Sequence, residues 1–147
     1  PDTNAPAIIH NDYKLDNCVL DPADPSRIIG ILDWEMATIG DPLMDLGNSL
    51  AYWVEQNDPP DMQAIRTMPT QMDGALARDT LLQRYTEQSG RSVADFDFYL
   101  CFGLFRLAVI AQQIYYRYYH GQTKDERFKA LILAVHVLEK TARGYTA

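Results

Sequence analysis

An α+β fold, mostly α-helical, is predicted by three features of this 147-residue sequence. Short β-like runs crowd the first third, an Asp/Pro-rich turn separates two of them, and helical spacing of apolar residues takes over from Asp41 onward. The length fits a single domain with a sizeable core. The 47% apolar and 22% charged content excludes disordered, collagen-like and coiled-coil classes. A net charge of −7 makes nucleic acid an unsuitable partner. Two cysteines, Cys18 and Cys101, are too few for a disulfide framework and suit a reducing, cytoplasmic setting.

The elements follow in chain order. Ala7-Ile8-Ile9 reads as a strand. Cys18-Val19-Leu20 and Ile28 to Leu32 read as a β-hairpin closing over Asp21-Pro22-Ala23-Asp24-Pro25, where proline fixes φ and aspartate bonds its own backbone. Asn17 and Asp33 lie equally far from Pro25, so the hairpin is expected to place them opposite each other. Asp41-Pro42 puts a capping residue before proline at the first helical position, and Leu43, Leu46, Leu50, Trp53 and Val54 continue with helical spacing. Residues 55–72 read as a long loop with room for one helical turn. Further helices are predicted from Gly74 to Gln88, from Asp95 (as cap) to Tyr119, and from Lys124 to Arg143. The apolar run of the third, Phe98 to Ala111, is interrupted by Arg106 and is short for a bilayer, so a core helix and no membrane span is expected. Its aromatic series is expected to supply buried area, with some tyrosines free to line a cleft.

The chemistry is concentrated in His10-Asn11-Asp12-Tyr13-Lys14-Leu15-Asp16-Asn17 and, after the hairpin, Ile31-Leu32-Asp33-Trp34-Glu35. Asp12 is a carboxylate placed to accept a hydroxyl proton. Asn17 and Asp33 offer hard oxygen ligands of the kind Mg²⁺ prefers. Lys14 adds a mobile positive charge able to meet a phosphoryl group. A base, two oxygen ligands and a cation are the parts phosphoryl transfer requires from one side of a site.

These motifs resemble the catalytic and metal loops of the protein-kinase-like superfamily. Within it they are similar to the aminoglycoside phosphotransferase and choline kinase branch. The matching residues are His10-Asn11-Asp12, Asn17, Leu32-Asp33-Trp34-Glu35 and Gly40-Asp41-Pro42-Leu43-Met44-Asp45-Leu46. The wording around Leu15-Asp16-Asn17 and Leu32 to Glu35, with the Phe102-Gly103-Leu104-Phe105-Arg106 stretch, looks most like the phosphotransferase domains associated with acyl-CoA dehydrogenases.

The resemblance implies the C-terminal lobe of a kinase-like fold spanning residues 1–147, with the catalytic loop and hairpin at 7–35 and a helical subdomain at 41–143. It implies that Asp12 is the catalytic base, that Asn17 and Asp33 hold Mg²⁺ bridging the phosphates of ATP, and that Lys14 contacts the transferred phosphate. His10 and Asp45 are implied to brace the catalytic loop, and Glu35 to stand beside the metal ligands or to face substrate. The acceptor is implied to be a small-molecule hydroxyl. Hydroxyacyl thioesters or related hydroxy acids come first, and aminoglycosides or choline-like amines second. The family's N-terminal nucleotide lobe has no counterpart before Pro1, so the chain is expected to be a C-lobe fragment whose partner is that missing lobe, inactive alone. Two other classes stay open. One is a metal-dependent phosphohydrolase built on His10, Asp12, Asp33 and Glu35, and the other a non-catalytic pseudokinase-like binding module.

Overall fold

A computed structural model describes residues 5–146. Four short strands form two antiparallel ribbons: β1 (Ala7–Ile9) pairs with β4 (Thr38–Gly40), and β2 (Cys18–Leu20) with β3 (Ile28–Ile31). Five helices follow, α1 (Pro42–Ala51), α2 (Pro60–Ile65), α3 (Arg78–Ser89), α4 (Phe96–Tyr119) and α5 (Leu131–Arg143). The mostly helical α+β expectation therefore holds, and the strand expected at residues 7–9 is present.

Four sequence expectations are corrected. The hairpin pairs Cys18 with Ile31 and Val19 with Gly30, so Asn17 falls opposite Leu32 rather than Asp33. The Leu32 N–H donates to the Asn17 carbonyl at 2.8 Å, and Asp33 stands one residue beyond. The cause is local. A register irregularity lies between Val19 and Leu20, and the loop closes through successive tight turns in which Asp24 N–H donates to Asp21 O and Arg27 N–H to Asp24 O. The hairpin axis thus sits between residues rather than on Pro25.

The helix expected from Gly74 starts four residues later, at Arg78. There the backbone N–H of Arg78 bonds the Glu55 carboxylate, and the guanidinium takes both Asp58 oxygens, at 2.6 and 2.8 Å. These partners lie across the preceding loop, where helical periodicity gives no sign of them. Burial pushes the Asp58 carboxyl up, but hydrogen bonding to Arg78 outweighs this and its pKa is lowered.

Asp95 precedes α4 in a left-handed conformation (φ 59°) and makes no side-chain cap. The last expected helix is a 3-10 segment, Glu126–Ala130, leading into α5.

Where the sequence follows simple rules, the structure obeys them. The Asp41 side chain accepts from Leu43 N–H at 2.9 Å, with Pro42 at the first helical position. Gly90 ends α3 at φ 68°, a conformation glycine adopts without cost.

The core is built where α4 crosses α1 and α5. Leu43, Leu50, Tyr99, Leu100, Leu104, Ala108 and Leu138 are buried together. α4 is long and apolar enough by composition to cross a membrane, and here it is the central packing helix of the lobe. Of its aromatic residues, Phe96 and Tyr99 are buried. Phe98, Phe105, Tyr116 and Tyr119 lie outward, so the aromatic series is only in part a core feature. At the α1–α4 crossing Gly47 and Gly103 face each other, and a Cβ on either would collide with the other helix's backbone.

Candidate active site

The site is assembled from two loops that leave the ribbons and from the helix beneath them. The first loop leaves β1 at His10. Asn11 takes a left-handed conformation (φ 67°), sterically open to glycine and tolerated by asparagine, which accounts for asparagine at this position. The turn is held from below by Asp45 of α1, whose Oδ2 accepts the His10 N–H and whose Oδ1 accepts the Asn11 N–H, both at 2.7 Å. The His10 ring is buried, with Nε2 2.7 Å from the Leu32 carbonyl and Nδ1 accepting the Asp12 N–H at 3.2 Å. Those two bonds fix the tautomer: Nε2 carries the proton. His10 therefore joins the first loop to the strand end preceding Asp33.

Asp12 and Lys14 come together, with Lys14 Nζ 2.9 Å from Asp12 Oδ2. Burial alone would lower the pKa of the Lys14 ammonium, but its bond to the Asp12 carboxylate prevails and the net shift is upward. Asn17, buried at the end of a 3-10 turn, donates its amide to the Asp12 carbonyl at 2.8 Å and to Asp12 Oδ2 at 3.0 Å. Its Oδ1 has no hydrogen-bond partner among the described residues.

Asp33 also takes a left-handed conformation (φ 66°), ending the second ribbon as the chain enters the 3-10 turn Trp34–Met36. Its carboxylate is exposed and engages no described residue. A buried amide turned so that only its oxygen is free, and an unpaired carboxylate on the loop that His10 ties to the first, are oxygen donors of the type a hard divalent cation takes. Glu35 is exposed on the same turn and touches none of the groups above.

Sequence reading missed two contributors. Tyr52, immediately after α1, directs its hydroxyl at Asp12 Oδ1 (3.3 Å), and Lys14 Nζ lies 5.1 Å from the centre of its ring. Burial pushes the Tyr52 phenol up, against a smaller opposing pull from Lys14, so it remains a proton donor near neutrality. Asn48 donates to Asn11 Oδ1 at 3.4 Å. Asp45, Asn48 and Tyr52 lie three and four residues apart, so a polar stripe on an otherwise apolar helix was the available signal.

Two open grooves of about 510 Å³ each exist on the lobe, but neither is lined by Asp12, Lys14, Asn17 or Asp33. The site is a polar loop surface, not an enclosed cavity.

The fold and its loops are those of a kinase-like phosphotransferase. Residues 1–96 match the model of the phosphotransferase enzyme family, and the chain belongs to that family. It is 30% identical over 145 residues to "Probable acyl-CoA dehydrogenase IBR3" of Arabidopsis thaliana, covering 95% of this chain and 18% of that protein. It is 35% identical over 126 residues to human acyl-CoA dehydrogenase family member 11, covering 84% of this chain and 16% of that protein. The chain thus spans less than a fifth of the length of these relatives. A crystal structure of a "putative aminoglycoside phosphotransferase" from Ralstonia eutropha JMP134 superposes with a TM-score of 0.78 at 28% identity, over 95% of this chain and 42% of that one.

Proposed function

We propose that this chain supplies the base and the metal-ligand half of an ATP-dependent phosphotransferase that acts on a hydroxyl group of a small molecule. The observation that carries the reading is the state of Asp12. Lys14 and Asn17 occupy its Oδ2, while among the described residues Oδ1 meets only the long contact from Tyr52. Oδ1 is thus the oxygen open to an incoming hydroxyl, and Tyr52 keeps it oriented until one arrives. As the acceptor oxygen bonds to the γ-phosphorus and the bond from that phosphorus to the β–γ bridging oxygen breaks, with ADP leaving, Asp12 positions the hydroxyl and takes its proton. Asn17 Oδ1 and Asp33 would hold Mg²⁺, which when bound with ATP neutralises phosphate charge. Lys14, whose ion pair with Asp12 Oδ2 loosens once the carboxylate takes the proton, is in reach to meet the transferred group.

Hydroxyacyl thioesters or related hydroxy acids are the acceptors we favour. The relatives named for acyl-CoA dehydrogenases support that choice over an aminoglycoside or a choline-like amine. Both cysteines are free, in keeping with a cytoplasmic enzyme.

Among the described residues no three His, Cys, Asp or Glu side chains converge on a metal position, which counts against the phosphohydrolase alternative. The binding-module alternative is tested by ligand affinity. In the full-length protein, Asp33→Ala is expected to weaken Mg–ATP binding at least about tenfold, because one of two protein ligands is removed. Calorimetry with Mg–ATP is the check. Unchanged affinity would dismiss Asp33 as a ligand, and no binding by the unmutated protein would favour the non-catalytic module.

No lysine lies on any of the described strands, where a nucleotide-binding lobe would place one against the phosphates. Large apolar side chains stand exposed on the ribbons, Ile8 and Ile39 each at 75%, as expected of a face that meets a second lobe. The 147-residue chain alone is therefore expected to release ADP from Mg–ATP negligibly. Robust phosphorylation by the purified chain would contradict this.

A further inference from the structure

We propose that Arg106 is a positioning residue of this site, gripping from behind the peptide group that carries Asp12. The inference rests on the phosphotransferase reading and adds to it a residue from the middle of α4. Arg106 is half-buried on a largely apolar helix, and among the described residues no carboxylate lies within ion-pairing distance of its guanidinium. Its partners belong instead to the two active-site loops. One terminal nitrogen donates to the Asn11 carbonyl, and the other lies 3.5 Å from Met36 Sδ on the loop that follows Asp33.

The consequence lies in the peptide group joining Asn11 to Asp12. Its oxygen is held by Arg106 and its N–H by His10 Nδ1 at 3.2 Å, so the plane is fixed at both ends. The preceding Asn11 N–H is already bound to Asp45. With Asn11 at φ 67°, a conformation disfavoured for a residue with a Cβ, this plane has the most to gain from an outside restraint. Asn11 Nδ2 also donates to the Met36 carbonyl at 2.9 Å, so the guanidinium closes a second link between the same two loops. A planar fork presents donors on separate nitrogens and so spans both partners in one fixed geometry, whereas the donors of an ammonium radiate from a single nitrogen on a flexible stem.

The test is made in the full-length protein with Arg106→Ala, Arg106→Lys and Arg106→Met, the last keeping side-chain length and packing should alanine prevent folding. Hydrogen exchange of the Asn11 and Asp12 amides is expected to quicken about tenfold in the alanine and methionine variants while core amides of α1 stay unchanged. Lysine is expected to restore protection only in part. ADP release from Mg–ATP, with water as acceptor, is expected to fall about ten- to a hundredfold in its Asp12-dependent part, with Mg–ATP affinity within about twofold of the unmutated protein. Added guanidinium ion, but not ammonium, is expected to recover part of that rate in Arg106→Ala. Unchanged loop exchange in variants that fold overturns the proposal, as does turnover equal to the unmutated protein. If the unmutated protein shows no Asp12-dependent turnover, the functional reading fails, and the exchange measurement still decides whether Arg106 grips the loop.

Discussion

Asp12→Ala is expected to lower kcat of the full-length enzyme by about 10²- to 10⁴-fold while Mg–ATP still binds. That range is what loss of a positioned general base costs. Binding should survive because Asn17, the buried residue proposed as a metal ligand, is oriented by two bonds, and only one of them goes to the Asp12 carboxylate. The other, to the Asp12 backbone carbonyl at 2.8 Å, is untouched by the substitution. Asp33 does not contact Asp12 and keeps its place at the end of the second ribbon. Initial-rate kinetics paired with calorimetry is the check. Near-normal turnover would remove Asp12 from the chemistry, and a parallel collapse of nucleotide affinity would show that its main role is to hold Asn17.

Gly103→Ala is expected to destabilise the lobe by about 3 kcal/mol or more, at the upper end of what overpacking a core costs. A methyl group at 103 would overlap the backbone carbonyl of Gly47 and come within 3.0 Å of the Asn48 backbone nitrogen. Neither obstacle is the end of a flexible side chain, so α1 and α4 would have to move apart along their contact. The effect should reach the candidate site, since α1 carries Asp45 and Asn48 and is followed directly by Tyr52, each bonded to the loop of Asn11 and Asp12. Thermal unfolding is expected to shift down by about 10 °C. A shift within about 2 °C would mean that the crossing is looser than described.

How far the sequence alone could lead is clearest from these same residues. Asp12, Asn17 and Asp33 stand out in the sequence because phosphoryl transfer would require those side-chain types, whereas Asp41 was legible because capping is a local rule satisfied within two residues. The exact facing of Asn17 was not legible. One irregular step between Val19 and Leu20 moves the whole hairpin register, and nothing in the apolar pattern marks it.

The pairing of β1 with β4 joins segments some thirty residues apart, through three-residue strands too short to show a period. Tyr52 and Arg106 reach the first loop across 40 and 95 residues, and only the crossing of the helices brings them there. The helix glycines Gly47 and Gly103 were visible as residues, but their partnership exists only once α1 and α4 are packed.

The proposed phosphotransferase chemistry requires the Asn17 amide oxygen and the Asp33 carboxylate to share one cation, with Asp12 open to the same space. A crystal structure of the full-length protein with Mg²⁺ and a non-hydrolysable ATP analogue tests it most directly. The account predicts an ion about 2.1 Å from both Asn17 Oδ1 and an Asp33 oxygen, with Asp12 Oδ1 facing the γ-phosphate. An ion held by other residues, or a nucleotide bound away from these loops, would contradict it.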